Sequence, residues 1–307
     1  MNYDVIGDIH GHAGKLSALL RKLGYRERAG SWVPPEGAMA IFVGDLIDRG
    51  PDQLATLDIV RGMVDGGHAR CVMGNHEFNA IAYATRRQGT DDFLRPHSDK
   101  NNRQHDAFLR AVEGDSRKYR ELIDWFRTLP VALDLGGIRA VHAWWNLDFV
   151  RRVDEARGGK PLDDAFMHQA CTKGTELYAA MDGLTKGCEV ELPGGHDFVD
   201  HDGTTRHEVR VRWWMAEPTS YRDYAAMDSK QQAALPDLPV EAQHRLAAID
   251  GAPVFVGHYW FDGPQRLDST RLACVDYSAA KEGQPLVAYR WQGEPELTDK
   301  HFVSAGA

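Results

Sequence analysis

The sequence predicts an α/β fold in which strands and helices alternate, and three observations support this prediction. Short apolar runs recur in the first eighty residues, and each ends at Gly-Asp or Gly-Asn, which is a turn signal. Between these runs, apolar residues recur three and four positions apart, as on one face of a helix. The length of 307 residues fits one large α/β domain or a domain with an insertion.

The predicted elements follow from apolar periodicity and from turn residues at their ends. We predict strands over residues 3–9, 38–43, 69–73, 131–135, 138–143, 253–256, 271–276 and 286–291. We predict helices over residues 16–23, 54–64, 77–87, 116–129 and 163–177. A polar stretch at 88–103 separates two of these helices, and Gly136-Gly137 indicates a hairpin between two of the strands.

The chain is predicted to form a single domain over residues 1–307, with a helical or irregular insertion at about 146–250. This middle segment has the least regular pattern, and strand-like runs return only after it. Neither a repeat nor a linker that would separate two domains is evident. The insertion is therefore expected to cover one edge of the fold.

Composition excludes several classes of protein. Hydrophobic residues make up 43% and charged residues 26%, which is typical of a folded protein and not of a disordered tail or a fibre. Lys and Arg number 36 against 45 Asp and Glu, a formal net charge of −9, which argues against general nucleic-acid binding. No apolar run is long enough to span a membrane.

Cysteine usage and the first residues favour a cytoplasmic location. The four cysteines are far apart and form no C-x-x-C pair, so we expect reduced and mostly buried thiols. The segment MNYDVIGDIHGH has neither a basic nor an apolar region of the kind found in a signal peptide. A secretory leader is therefore not expected.

Polar side chains that could bind a metal ion or an anion lie at the ends of five of the predicted strands. In chain order they are Asp8 and His10; Asp45, Asp48 and Arg49; Asn75 and His76; His142; and His258. Ligand sites of open α/β folds form at the carboxyl ends of the strands. These five strand ends are therefore expected to meet at one shared site.

The residue types indicate a divalent cation. Carboxylate oxygen, imidazole nitrogen and amide oxygen suit Mn, Fe or Zn, and no cysteine stands at these positions. Asp8 and His10 are two residues apart, so on an extended strand both would face the same side. Adjacent glycines allow tight turns and a close approach of phosphate to the backbone.

In their order, the segments D-x-H, GDLIDRG, GNHE, a single His and Gly-His resemble the calcineurin-like metallophosphoesterases. The spellings GDLIDRG and GNHE are most similar to the phosphoprotein-phosphatase branch, that of the serine/threonine phosphatases. The match is close over residues 8–77, whereas His142 and His258 are isolated matches. The resemblance implies a four-layer α/β/β/α sandwich with two metals at the carboxyl ends of the strands.

The resemblance also implies a role for each residue of the motifs. Asp8 and His10 would hold the first metal and Asp45 would bridge both metals. The second metal would be held by Asn75, His142 and His258. The cofactor is then two divalent cations, Mn²⁺ first, with Fe or Zn as the alternatives.

By the same resemblance, Arg49 would bind the phosphate, His76 would protonate the leaving oxygen and Asp48 would orient the imidazole. The reaction would be direct attack of a metal-bridging hydroxide on phosphorus. The resembling phosphatases place a second phosphate-binding arginine between the last two ligand histidines. Arg212 is the favoured candidate, Arg210 is the alternative, and an exposed strand face is the structural explanation for both.

The last motif departs from the pattern of some branches of this family. Nuclease and phosphodiesterase branches end in Gly-His-x-His, whose second His is a metal ligand, but here Trp260 stands at that position. The phosphoprotein-phosphatase branch also lacks this ligand, and so do the symmetrical diadenosine tetraphosphate hydrolases. The departure disfavours a nuclease and leaves the substrate open.

A second polar cluster occurs within the insertion. His196, Asp197, Asp200, His201 and Asp202 could suggest another metal site, but their spacing does not match a calcium-binding loop. Two polar turns rich in glycine are the favoured interpretation.

The sequence therefore predicts a cytoplasmic two-metal phosphoesterase that hydrolyses phosphate monoesters, of the serine/threonine protein phosphatase type. Its partner would be a phosphorylated protein or a small phosphorylated metabolite, with no nucleic acid or membrane. The first alternative is a symmetrical diadenosine tetraphosphate hydrolase. The remote alternative, a non-catalytic scaffold of the same fold, is disfavoured because all six ligand positions are filled.

Overall fold

Two β-sheets organise the chain in a computed structural model that describes residues 1–28, 30–199, 203–227 and 229–306. The strands are β1 (Asn2–Ile6), β2 (Arg26–Arg28), β3 (Ser31–Val33), β4 (Ala38–Phe42), β5 (Ala69–Cys71), β6 (Ala132–Asp134), β7 (Arg139–Val141), β8 (Glu189–Glu191), β9 (Phe198–Val199), β10 (Thr205–Arg206), β11 (Glu208–Arg210), β12 (Val254–Val256), β13 (Leu272–Cys274), β14 (Leu286–Trp291) and β15 (Phe302–Ala305). The helices are α1 (Ala13–Lys22), α2 (Gln53–Asp65), α3 (Asn75–Ala84), α4 (Asp99–Ala111), α5 (Ser116–Thr128), α6 (Leu147–Arg157), α7 (Asp164–Ala170), α8 (Glu176–Lys186), α9 (Tyr221–Tyr224) and α10 (Ser229–Ala234).

The first sheet has the strand order β15-β14-β1-β4-β5. Strands β1, β4 and β5 run parallel, and β14 pairs antiparallel with the other edge of β1. Ile6 at the end of β1 therefore lies between Phe42 and Ala288. The carboxyl ends of the three parallel strands share one edge of this sheet.

The second sheet has the strand order β13-β12-β7-β6. Strands β7, β12 and β13 are parallel, so their carboxyl ends also share one edge. Strand β6 pairs antiparallel with β7, and Leu133 lies opposite Ala140. This pairing confirms the hairpin predicted from Gly136-Gly137.

The sheets pack face to face through an apolar cluster that both contribute. Val5 and Ile41 of the first sheet and Ala140 and Phe255 of the second belong to this cluster, and all four are fully buried. Their neighbours along the strands point to the opposite faces, because side chains alternate across a sheet. Burial of both faces explains why the strands read as continuous apolar runs.

Helices cover the outer faces. Leu16 of α1 and Leu57 of α2 share an apolar cluster with Phe42. On the second sheet, Val141 belongs to the same cluster as Leu184 of α8. The predicted α/β fold class is thus confirmed, with helices outside two stacked sheets.

Two predicted helical regions differ from the structure. The helix predicted over 163–177 is wrong as one element, because Gly174 has a φ of +88° and separates α7 from α8. Thr175 then caps α8 by accepting a hydrogen bond from the Tyr178 N–H at 3.0 Å. Helix α4 begins inside the predicted polar stretch, where the Ser98 side chain caps its first turn.

The segment 146–250 holds helices α6 to α10 and also two small antiparallel pairs, β8 with β11 and β9 with β10. These pairs were not predicted, since each strand has only two or three residues. The single-domain boundary stays a prediction. Within the described residues, no helix combines the length and apolar character that crossing a bilayer requires.

The close approach of the two sheets depends on Gly7. A Cβ at this position would lie 2.0 Å from the carbonyl oxygen of Val275, so Gly7→Ala would force the backbones apart. We expect the free energy of unfolding in urea to fall by roughly 2–3 kcal/mol. The matched control is Gly14→Ala at an exposed position of α1, where a Cβ meets nothing within 4 Å; it should raise the free energy of unfolding by about 0.5–1 kcal/mol. A Gly7→Ala protein as stable as the wild type would contradict the close approach.

Candidate metal centre and catalytic site

The six predicted metal ligands each lie within four residues after the end of a strand. Asp8 and His10 follow β1, Asp45 follows β4, Asn75 opens the helix after β5, and His142 and His258 follow β7 and β12. These strands belong to both sheets. Direct contacts, described next, connect all six side chains at the shared edge.

Asp45 lies at the centre of the cluster. Its Oδ1 is 3.4 Å from His142 Nε2, and its Oδ2 is 3.7 Å from His10 Nε2. Two sets of ligand atoms, each within 4.8 Å of one another, share this carboxylate: His10, Asp45 and His76, and Asp45, His142 and His258. A carboxylate shared by two such sets is suited to bridge two cations.

Asn75 joins the two histidines of the second sheet. Its Oδ1 is 3.0 Å from His142 Nε2 and 2.9 Å from His258 Nδ1. Asn75 is the first residue of α3, so the turn after β5 delivers its amide directly to the second sheet. The Gly-Asn sequence thereby connects the two sheets at the site.

Asp8 contacts the cluster through the backbone of His258, which follows a strand of the second sheet. Its Oδ2 accepts a hydrogen bond from the His258 N–H at 3.0 Å, and it belongs to neither set of three ligand atoms. A Cβ on Gly257 would lie 2.0 Å from Asp8 Oδ1. Only glycine at position 257 leaves room for this carboxylate.

Backbone carbonyl groups orient two of the histidines. His10 Nδ1 donates to the Ile47 carbonyl at 2.8 Å, and His142 Nδ1 donates to the Val43 carbonyl at 2.7 Å. A histidine whose Nδ1 carries the proton presents the lone pair of Nε2. Both Nε2 atoms face the cluster, as expected for metal ligands with a fixed tautomer.

Three buried polar atoms in the described part of the chain lack a partner at this place: Asp8 Oδ1, His10 Nε2 and His258 Nε2. An unpaired buried polar atom costs about 1–3 kcal/mol, so three together call for a ligand. Their oxygen and nitrogen chemistry matches a divalent transition cation. The residues present therefore fit the metals that the sequence predicted.

The electrostatics favour a cation as well. Burial, followed by the nearby carboxylates Asp276 and Asp45, raises the pKa of Asp8 well above its usual value. Burial lowers the pKa of His10 to about 3, and it lowers the pKa of His258 well below the usual range. The site thus brings carboxylates that repel one another beside two imidazoles, those of His10 and His258, whose neutral, ligating form is favoured.

His76 and Asp48 form a direct hydrogen-bonded pair. His76 Nδ1 lies 2.5 Å from Asp48 Oδ2. Burial alone would lower the pKa of His76, but the charges of Asp45 and Asp48 outweigh it and raise that pKa. The pair leaves His76 Nε2 free, at 3.8 Å from Asp45 Oδ2 and beside the metal cluster.

A second imidazole holds the other oxygen of Asp48. Nδ1 of His105, a buried residue of α4, lies 2.8 Å from Asp48 Oδ1. Burial raises the pKa of Asp48, yet the hydrogen bonds from His105 and His76 lower it to about 2. Sequence reasoning missed His105, because nothing near it in the chain marks a strand end and only the packing of α4 brings it here.

Arg49 is held by an aromatic ring. Its guanidinium carbon lies 3.7 Å from the centre of the Trp260 ring, and burial lowers the pKa of the arginine. Among the described residues, no carboxylate lies within ion-pair distance of Arg49. The Trp260 ring thus makes a cation–π contact with Arg49.

The two candidate arginines each have a carboxylate partner. Arg212 Nη1 lies 3.7 Å from Asp268 Oδ2. Arg210 acts on the site electrostatically. Burial is the largest cause of the lowered pKa of His258, and the positive charge of Arg210 is the second. Arg210 also pairs with Glu189 at 2.9 Å. Which of the two arginines binds phosphate stays a prediction.

Asp276 is a further residue of the site that the sequence predictions did not name. It is buried, follows β13 and accepts the Trp260 N–H at 2.8 Å. The strand-end rule applied to β13 would have found it. Of the polar cluster in the insertion, Asp200, His201 and Asp202 lie outside the described residues.

Curated relatives match parts of the chain. An asymmetrical bis(5'-nucleosyl)-tetraphosphatase PrpE of Halalkalibacterium halodurans is 46% identical over 76 residues, 25% of this chain and 31% of that protein. A symmetrical bis(5'-nucleosyl)-tetraphosphatase of Ralstonia nicotianae is 36% identical over 140 residues, 45% of this chain and 40% of that protein. The chain thus spans less than half the length of these relatives.

Solved structures resemble the whole chain at low identity. A protein serine/threonine phosphatase of Saccharomyces cerevisiae, similar to human PP5, has a TM-score of 0.53 and 14% identity, covering 100% of this chain and 80% of its own. A cold-active protein tyrosine phosphatase has a TM-score of 0.51 and 17% identity, covering 99% and 78%. At such identity these likenesses show the fold alone.

The sequence profile of the calcineurin-like phosphoesterases matches residues 1–220, which is more than half of the chain. This range includes five of the six strand-end ligands and the His76–Asp48 pair. The chain therefore belongs to the calcineurin-like phosphoesterase family.

Proposed function

We propose that the protein is a two-metal phosphoesterase that hydrolyses phosphate monoesters. The observation that supports this most directly is the pair of three-residue clusters that share Asp45, beside three buried ligand atoms without partners. Family membership supports the same class of reaction and implies divalent cations.

The proposed ligands divide between the two sheets. Asp8 and His10 would hold one cation, Asp45 both, and Asn75, His142 and His258 the other. Divalent cations, Mn²⁺ in this proposal, acidify water and withdraw charge from phosphoryl oxygens. The chain contributes the spacing of the ligands and the exclusion of water around them.

Arg49 would bind the non-bridging oxygens of the phosphate. No carboxylate of the described residues lies within ion-pair distance of its guanidinium, and the Trp260 ring fixes its position. A guanidinium forms paired, charge-assisted hydrogen bonds with phosphate oxygens. The substrate phosphate would therefore lie between Arg49 and the Asp45 cluster.

His76 would hold a proton at Nε2 and donate it to the leaving oxygen. Asp48 fixes the orientation through Nδ1 and stabilises the charged imidazole. His105 fixes Asp48 in turn, and we propose it as a positioning residue. Three hydrogen-bonded side chains would thus orient the His76 Nε2 proton toward the leaving oxygen.

A second candidate is hydrolysis of dinucleoside tetraphosphates. The names of the relatives from Halalkalibacterium halodurans and Ralstonia nicotianae favour this activity. A non-catalytic scaffold is disfavoured, because an inactive fold need not preserve the ligand set and the proton-donating pair together. The cytoplasmic location stays a prediction.

Activity should depend on metal. Chelation should abolish hydrolysis of p-nitrophenyl phosphate, and Mn²⁺ should restore it. Asp45→Asn should lower kcat at least about tenfold more than His10→Asn, since Asp45 would serve both cations. Initial rates with measured metal content test this, and full activity in metal-free protein would refute the proposal.

His105→Asn should impair proton donation through Asp48. We expect the rate on an alkyl phosphate to fall about tenfold more than the rate on p-nitrophenyl phosphate, whose leaving group needs little protonation. His76→Asn is the reference variant, because it should remove proton donation to the leaving oxygen completely. His97→Asn is the matched control, because His97 stacks on Tyr83 in the same aromatic cluster but does not contact Asp48. Equal losses of His105→Asn on both substrates would assign it a purely structural role.

The enzyme should prefer a monoester to a diester. Arg49 gains more from the dianionic phosphate of p-nitrophenyl phosphate than from the single charge of its bis ester. The kcat/KM for the monoester should therefore be higher, and Arg49→Ala should narrow the difference. A wild-type preference for the diester would overturn the monoesterase proposal while leaving the metal centre intact.

A further inference from the structure

A cavity of about 420 Å³ opens beside the proposed proton donor. His76, Asp48 and Arg49 contribute to its lining, together with Arg95 before α4 and Arg103 on α4. Ligand pockets commonly have volumes of about 300–1,000 Å³, so the cavity has room for a bound group. Part of the catalytic site and part of α4 thus face the same space.

The charges of the lining are unbalanced. Its two carboxylates are already engaged: Asp48 by His76 and His105, and Asp106 by Arg110 at 2.9 Å. Within the described parts of the chain, no carboxylate lies within ion-pair distance of the three guanidinium groups of the lining. The cavity is therefore cationic in a protein whose net charge is −9.

Arg95 is the most informative of the three. It is half-buried, burial lowers its pKa, and its guanidinium bonds to the neutral amide oxygen of Gln104 at 2.7 Å. By contrast, Arg290 elsewhere in the fold bonds to the Asp4 carboxylate at 2.7 Å. A partly desolvated charge without a carboxylate at ion-pair distance is costly, and an anionic ligand would offset that cost.

The cavity lies beside His76, and this position indicates which part of a substrate would enter it. During hydrolysis, water oxygen bonds to phosphorus while the bond from phosphorus to the leaving oxygen breaks. The electron pair goes to that oxygen, which takes the proton from His76 Nε2; the attacking water loses a proton to solvent, and His76 regains one from solvent before the next turnover. The group attached to the leaving oxygen must therefore lie beside His76, in the space that Arg95 and Arg103 also line.

We propose that Arg95 and Arg103 form a second phosphate subsite, which binds a phosphate carried by the leaving group. This inference rests on the proposed function and deepens it. A phosphoserine or phosphothreonine side chain has an uncharged leaving group and would leave both arginines unpaired. The substrate class is thus a small molecule with two phosphates, joined either as an anhydride or across a sugar.

The test compares substrates that differ in their leaving group. The probes are p-nitrophenyl phosphate with no second phosphate, ADP with an adjacent one, and fructose 1,6-bisphosphate with a distant one. The variant is Arg95→Gln/Arg103→Gln. Its matched control is Arg117→Gln/Arg120→Gln, which removes two exposed arginines of α5 outside the cavity and changes the net charge equally.

We expect the cavity variant to lower kcat/KM at least tenfold more for ADP or the bisphosphate than for p-nitrophenyl phosphate. A charge-assisted pair is commonly worth about tenfold or more. The control variant should change the substrates alike. Whichever of ADP and the bisphosphate is more affected identifies the spacing of the two phosphates.

A binding measurement keeps the inference testable without turnover. Calorimetric titration of the Mn²⁺-loaded protein with inorganic pyrophosphate should show at least a tenfold rise in Kd in the cavity variant and no such rise in the control. Hydrolysis of p-nitrophenyl phosphate without these differences would overturn the subsite and spare the proposed function. Absence of all hydrolysis with the difference in Kd intact would overturn the proposed function and support the subsite.

Discussion

The carboxylate of Glu77 is the contact on which the arrangement of the site depends. It is fully buried, and its two oxygens accept three backbone N–H groups, from Asp45 at 2.9 Å, Leu46 at 2.8 Å and Gly74 at 2.9 Å. These groups belong to the turn after β4 and to the start of α3. One side chain thus fixes the backbone of Asp45 relative to the start of the helix that carries Asn75, with a precision that loops alone would not provide.

The same turns hold unusual backbone conformations. Six of the seven described non-glycine residues with positive φ border the site, and their φ values lie between 47° and 70°: His10, Asp45, Asp48, Arg49, His258 and Trp260. Each such conformation costs on the order of 1–3 kcal/mol and persists only where its surroundings enforce it. Gln53 provides part of that enforcement, accepting the Asp48 N–H at 2.8 Å and donating to the Gly50 carbonyl at 2.7 Å.

The sequence predicted site residues best where a polar side chain comes directly at the end of an apolar strand. The strand ends carrying Asp8, Asp45 and His142 could be predicted because a polar residue directly after an apolar run is visible locally. The contacts of His105 with Asp48 and of Trp260 with Arg49 could not, since each depends on segments far apart in the chain. The sequence also predicted some element ends wrongly. The strand predicted over 3–9 ends at Ile6, because the chain leaves the sheet before Asp8 reaches the cluster of candidate ligands.

The neighbours of β1 have a consequence for how the molecule is made. Tyr3 pairs with Met39 on one side and with Trp291 on the other, so β1 is flanked by a strand translated soon after it and by a strand translated much later. On the ribosome, the β14 side of β1 stays an open edge until β14 has emerged. Such an edge invites pairing with other chains. The strand that precedes Asp8 therefore gains both of its neighbours only after β14 has been synthesised.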